Sequence, residues 1–257
     1  MIRDRWLSVV AVGAFLAVWE LTCALQWVSP VLLRPPSAVA ATALQLAGGT
    51  VLWADLAYTV RAFALALGLA IVGGATLGGL IGYSRTAFFA VNPFVVAINA
   101  LPKVVLMPLV VLWVGIGTTA NVLLGAVMAS FPIITATNAG IRALERDYVR
   151  LARSFGATPR VIVRTIVVPG VVPYLLSGVR VGLNYAMVGV LISEFFGSSQ
   201  GLGYRMMLFM ANFEVASFFV YLVLVAAFTL AGAALLHLFE SRVQRWRPDA
   251  FSPARGM

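Results

Sequence analysis

Few residues in this chain could carry chemistry, and their spacing argues against most of it. There is one histidine, His237, and one cysteine, Cys23. A lone histidine builds no metal site and a lone cysteine no internal disulfide, so no metal centre is expected and Cys23 leaves the redox compartment open. The long apolar stretches hold the acids Glu20 and Glu194, with His237 peripheral to both. That is too little for a nucleophile–base set or a carboxylate pair inside the apolar region. ATP hydrolysis needs a phosphate cradle, a Gly-rich loop ending in Lys and Ser/Thr. The single lysine, Lys103, follows Pro102 in apolar sequence, and no such loop exists. The chain is therefore expected not to be an enzyme, to hold no cofactor of its own, and to leave any ATP and Mg chemistry to a partner.

The elements that would position these residues follow from composition. Of the 257 residues, 61% are hydrophobic and 11% charged, and the mean hydropathy is +0.98. A soluble domain carries about 45–50% apolar and about 25% charged residues. This excess excludes an ordinary soluble enzyme, a disordered tail and a secreted disulfide scaffold, and leaves an all-α polytopic membrane protein. The formal charge of +9 would suggest nucleic acid in a soluble protein. No aromatic-interleaved basic groove accompanies it, so no nucleic-acid partner is expected.

A bilayer core about 30 Å thick needs about 20 apolar helical residues. Six spans are expected, at 6–27, 56–83, 88–114, 120–141, 173–196 and 215–238. The run 104–141 contains no charge and is too long for one span; Gly115-Ile-Gly-Thr-Thr119 divides it as a tight turn. The apolar run after Arg3 and Arg5 is too long for a signal peptide, and no Ala-x-Ala site follows it, so a retained first span is expected. Gly74, Gly78 and Gly82 recur every four residues and permit close helix approach. Pro93, Pro102 and Pro108 are expected to interrupt the third span and Pro132 the fourth. Non-helical backbone at membrane depth survives only where protein or water satisfies it, which suits a transport pathway.

Charge placement sets the topology. With the N-terminus inside, the inner segments hold Arg3, Arg5, Arg85, Arg142, Arg146, Arg150, Arg153, Arg160, Arg164, Arg242, Arg245, Arg247 and Arg255; the outer ones hold only Arg34 and Arg205. That bias puts both termini in the cytoplasm.

The largest share of the internal charge lies in 142–169, between spans four and five. Tyr148, Leu151, Ala152 and Phe155 fall at i, i+3, i+4 and i+7 and form an apolar stripe on a short helix. Arg146, Arg150 and Arg153 line another face. Gly156 is placed to end the helix, and Pro159 prevents its continuation. Such a helix could lie on lipid or dock its stripe into a partner's groove; periodicity leaves both open.

The residues at fixed offsets carry further information. Arg150-Leu-Ala-x3-Gly156-x9-Ile166-x-Val168-Pro169 resembles the EAA loop of ABC importer membrane subunits, Glu-Ala-Ala-x3-Gly-x9-Ile-x-Leu-Pro. The spacing matches throughout, and Ala152, Gly156, Ile166 and Pro169 match in identity. Arg150 and Leu151 stand where the pattern has Glu and Ala, so a salt bridge made by that Glu does not carry over. The stretch 100–117, with Ser177-Gly-Val-Arg180, Ser193-Glu194 and Gly201-Leu-Gly203, is similar to the nitrate/sulfonate/taurine-type permease branch. The resemblance covers about residues 55–245.

It implies a type I ABC importer fold: 1–55 as an N-terminal span and outer loop, 56–240 as a five-span permease core containing the coupling loop 142–169, and 241–257 as a basic cytoplasmic tail. It further implies a permease homodimer in the bacterial inner membrane, two ABC ATPase subunits carrying ATP and Mg, and an extracytoplasmic substrate-binding protein. Tyr148, Arg150, Leu151, Ala152, Phe155, Gly156, Pro159, Ile166 and Pro169 are then the ATPase-coupling residues. The implied cargo is a small solute of the sulfonate, taurine or nitrate type, or a thiamine-precursor pyrimidine, with specificity mostly in the binding protein. An ATP-independent carrier or channel is the alternative, and the inverted repeats or filter motif it would need are not seen.

An arginine mid-span costs about 2.5–3.5 kcal/mol on insertion scales, so it should face a cavity or a partner. Arg61, Lys103 and Arg180 could give the pathway positive potential for an anionic solute, or they could snorkel or pair across a dimer. Arg180 and Glu194 lie fourteen residues apart on one span, about 21 Å at 1.5 Å per residue. They cannot pair with each other, and Glu194 reads as gate or scaffold.

Overall fold

In a computed structural model, residues 2–144 and 146–243 are described, apart from the side chains of residues 2–5, 8, 146 and 147. Arg245, Trp246, Arg247 and Arg255 of the expected basic tail, and the side chains of Arg3, Arg5 and Arg146, lie outside the description. The described chain is helical: α1 (Ile2–Ala24), α2 (Pro36–Ala47), α3 (Thr50–Tyr83), α4 (Arg85–Ala100), α5 (Met107–Val114), α6 (Thr118–Ala143), α7 (Arg146–Ser154), α8 (Pro159–Ile162), α9 (Val168–Gly197), α10 (Leu202–Ala211) and α11 (Val215–Val243).

Four stretches are long and apolar enough to cross a bilayer: α3, α6, Pro159–Gly197 and α11. The pair α4 and Lys103–Val114 makes a fifth if the two halves, bent by 90°, are one span. The apolar part of α1, Val9–Ala24, is shorter than these. The described residues therefore give four or five spans where six were expected, and α1 is the one that falls short.

Only one of the expected proline breaks is a break. The chain leaves the helix at Leu101-Pro102 and resumes in a 3₁₀ turn, Lys103–Leu106, with Pro108 in the first turn of α5. Pro93 and Pro132 instead sit inside continuous helices. A proline forfeits one helical hydrogen bond. In apolar surroundings an unwound segment would forfeit several, so the helix persists. The expected turn at 115–119 forms, with positive φ at Gly115 and Gly117.

The core is α6 held between α3 and α9. The α3 stripe of Gly74, Gly78 and Gly82 lies directly on α6; a Cβ at Gly78 would sit 2.6 Å from the Ile134 carbonyl oxygen. On the other side, a Cβ at Gly189 of α9 would sit 2.7 Å from the Gly125 Cα of α6. Helices associate in lipid through such close backbone contact, because burying apolar area there brings little. α1 is tied on by polar and aromatic contacts. The Glu20 carboxylate accepts from the Ser37 N–H at 3.1 Å and its hydroxyl at 2.7 Å, capping α2 from a neighbouring helix. Trp19 packs on Phe219 of α11 with ring centroids 5.2 Å apart.

The fifth span begins earlier than position 173. Pro159 opens α8, a π turn at Val163–Val167 follows, Pro169 lies in the first turn of α9, and helix runs on to Gly197. The second half of the 142–169 segment is thus one end of a span, and residues 155–158 connect it to α7.

Candidate functional site

α7 is where the charged loop becomes a shaped surface. Tyr148, Leu151 and Phe155 form an apolar stripe that is 57%, 56% and 83% exposed. The helix ends in a glycine turn: the Ala157 N–H donates to the Ala152 carbonyl at 3.0 Å and the Gly156 N–H to that of Arg153 at 2.9 Å, with Gly156 at φ +76. This is the Schellman arrangement, which needs a left-handed residue and so favours glycine. Tyr148, Leu151, Ala152, Phe155, Ile166 and Pro169 line one cavity of about 580 Å³ between α7, the C-terminal end of α6 and the N-terminal end of α9. Arg150 and Pro159 line another on the opposite side of α7. The structure thus brings the expected coupling residues to one end of the molecule, in two cavities on either side of α7.

The four expected pathway residues do not converge on one point; each has its own surroundings. The Lys103 ammonium donates to the Asn99 carbonyl (2.8 Å) and side-chain oxygen (3.0 Å) and lies 4.9 Å from the Phe131 ring centroid. It closes the end of α4 at the 90° bend. Arg180 makes an ion pair with Glu240 of α11, which is buried. His237 lies one turn away, its Nδ1 3.9 Å from the same carboxylate. Arg61 is exposed and makes no ion pair among the described residues. Glu194 is fully buried.

Glu194 belongs to a polar clasp at the end of the bundle away from α7. Its carboxylate accepts from the Thr59 hydroxyl at 2.9 Å and the Gly203 N–H at 2.8 Å, while the Thr59 oxygen accepts from the Leu202 N–H at 2.8 Å. One turn along α3, buried Asp55 accepts from Arg205 Nε at 2.9 Å, the Tyr221 hydroxyl at 3.1 Å and the Gly201 N–H at 3.2 Å. The Asp55 hydrogen bond pushes the Arg205 guanidinium above its usual range, so the cation is held firmly. Next to this, the Ser193 hydroxyl donates to Asn121 at 2.8 Å, and the Gly117 N–H to the Gly197 carbonyl at 2.8 Å. Gly201 has φ +106, and a Cβ there would lie 2.5 Å from the Glu194 carboxyl carbon. Only glycine fits.

Sequence reasoning singled out Gly201, Gly203 and Glu194 but missed Asp55, Thr59, Asn121 and Tyr221. The available signal was the i, i+4 spacing of Asp55 and Thr59, which places both on one face of an otherwise apolar helix.

Long apolar helices, a pair of helices bent by 90° and an exposed amphipathic α7 fit a multi-pass membrane protein. Residues 70–245 match the family model described as the binding-protein-dependent transport system inner membrane component, and the chain belongs to that family. It is a permease subunit of an ABC transporter, a transport component. The chain is 30% identical over 207 residues to the taurine transport system permease protein of Escherichia coli K12, covering 79% of this chain and 75% of that one. It is 27% identical over 232 residues to the formylaminopyrimidine transport permease protein of Halalkalibacterium halodurans, covering 90% and 92%. The fold is similar to a chain of the inward-facing methionine ABC transporter MetNI, at TM-score 0.64 and 20% identity, covering 76% of this chain and 95% of that one.

Proposed function

We propose that this subunit forms, as a homodimer, the translocation pathway of an ATP-driven importer, coupled through α7 to two separate ATPase subunits that carry ATP and Mg. The observation that carries this reading is the exposed Tyr148-Leu151-Phe155 stripe, joined through the Gly156 turn to a helix that continues to Gly197. Docked in a groove of an ATPase, the stripe would be buried, and movement of the ATPase would reach the spans as a rigid-body rotation. α7 is then the coupling helix, with Ala152, Ile166 and Pro169 shaping the cavity behind it and Arg150 and Pro159 on its far side.

The arginine bias supports both termini and α7 on the cytoplasmic side of a bacterial inner membrane. α1 then makes the sixth crossing, its 23 residues reaching about 35 Å. The cargo is a small anion of the sulfonate, taurine or nitrate type, delivered by an extracytoplasmic binding protein. Lys103 at the bend and exposed Arg61 supply positive potential along the route, with Arg180 and Glu194 flanking it. The taurine relative favours this cargo over the pyrimidine of the other relative.

The test is reconstitution with the candidate ATP-binding subunit. Co-purification and substrate-stimulated ATPase are expected from the natural chain, and both should be lost when Leu151 and Phe155 are changed to serine. Retention of both in that variant overturns the assignment of α7.

A further inference from the structure

The end of the bundle that carries α7 holds a second cavity, of about 750 Å³. By helical period it lies on the face of α7 opposite the Tyr148 stripe. Its wall is apolar, including Gly79 and Gly82 of α3, Ile141 of α6 and Ile162 of α8. Its rim carries Arg85, Arg142, Arg150 and Arg153. Two of these guanidinium groups are positioned by aromatic rings: Arg142 lies 3.8 Å from the Phe88 centroid and Arg85 lies 5.9 Å from that of Phe89. A stacked guanidinium keeps its in-plane N–H groups available to a ligand. Arg85, Arg142 and Arg153 make no ion pair with an acid among the described residues.

The cavity sits where the membrane-length helices α3 and α6 end, at Tyr83 and Ala143. A free phosphate would use the rim and leave the apolar wall wet. A ligand with an anionic head and an apolar body would use both. Basic pockets at the ends of membrane helices hold anionic lipid headgroups in this way. We infer that this cavity binds one anionic phospholipid, with Arg85, Arg142 and Arg153 around its phosphate and the Gly82–Ile141 wall against its acyl chains.

The experiment uses the full-length chain in nanodiscs of phosphatidylcholine containing a minority of phosphatidylglycerol, followed by detergent exchange and lipid quantification by mass spectrometry. Phosphatidylglycerol is expected to remain with the protein at about one per chain. The double variant R85Q/R153Q should retain roughly tenfold less. The double variant R160Q/R164Q removes the same charge from arginines that do not line the cavity and should retain as much as the natural chain. Gly79→Leu keeps every arginine and fills the wall, at a position where an added Cβ meets nothing closer than Ile141 Cδ1 at 3.9 Å; it too should lose the lipid. Unchanged retention in R85Q/R153Q, equal loss in both double variants, equal retention of phosphatidylcholine, or displacement by millimolar inorganic phosphate would each overturn the inference. The readout needs no ATPase, so its failure is distinguishable from failure of the coupling role.

Discussion

Arg205 of α10 reaches back to Asp55 of α3, Nε to Oδ2 at 2.9 Å, and thereby pins the short α9–α10 connection across the mouth of the bundle. The two partners are unequal: the Asp55 side chain is 5% exposed and that of Arg205 30%. Removing the arginine strands a buried carboxylate, whereas neutralising the acid leaves a cation that water can reach. Arg205→Ala should therefore lower the melting temperature in detergent more than Asp55→Asn does. The reverse order would show that Asp55 is wetter than its packing indicates.

Glu194 differs in that its donors, the Thr59 hydroxyl and the Gly203 N–H, are both neutral. Glu194→Gln keeps an acceptor for them and should cost less than about 1 kcal/mol. Glu194→Leu leaves both unpaired, at about 1–3 kcal/mol each. Chemical denaturation of the two variants separates the cases; equal stability would mean that the carboxylate is not the acceptor that seats Gly203.

Gly201 and Gly156 both have positive φ, for different reasons that substitution should expose. Nothing lies within 4 Å of a Cβ at Gly156, so Gly156→Ala carries only the left-handed penalty of about 1–2 kcal/mol. Gly201→Ala adds a collision with the Glu194 carboxyl group and should melt lower. Gly156→Asn, which tolerates the left-handed region, should retain more coupled ATPase activity than Gly156→Val. Undiminished uptake and ATPase in the valine variant would remove the lever role of the elbow.

Arg180 is paired with buried Glu240, so a loss of uptake in Arg180→Gln does not by itself place it in the pathway. A double-mutant cycle does. If the pair is architectural, R180Q/E240Q should recover most of the stability and uptake lost in Arg180→Gln. Uptake that stays low while the melting temperature recovers would give Arg180 a direct part in moving the solute.

Lys103 gives the contrasting case, since it has no acidic partner among the described residues and caps the bend between α4 and α5. Lys103→Gln can still hydrogen-bond to Asn99, so folding should be preserved. Uptake of a sulfonate should fall severalfold as the local cation is lost. Unchanged uptake would reduce Lys103 to a cap.

What could be read from residues alone was what is local. The Tyr148–Phe155 stripe, the Gly156 stop, the Gly115–Gly117 turn and the Gly74–Gly82 stripe are each written within about two helical turns, and each appears where its period placed it. The Arg180–Glu194 spacing showed that each must find a partner elsewhere, but not where. Glu240 lies 60 residues from Arg180, and Arg205 lies 150 from Asp55. No local period encodes such pairings, which is why the clasp was invisible until α3, α9 and α10 were brought together. The prolines misled because local propensity treats every one as a break, while an apolar environment keeps the helix at Pro93 and Pro132 and releases it only at Pro102.

The stretch from Pro159 to Gly197 is 39 residues without an interruption other than one π turn, a shaft about 58 Å long. It starts four residues past the α7 elbow and carries Glu194 near its other tip. Apart from that π turn and Pro173 the shaft has no joint, so a twist applied at its α7 end would reach the Glu194 end with little slack, where it must either carry Gly203 along or let go of it.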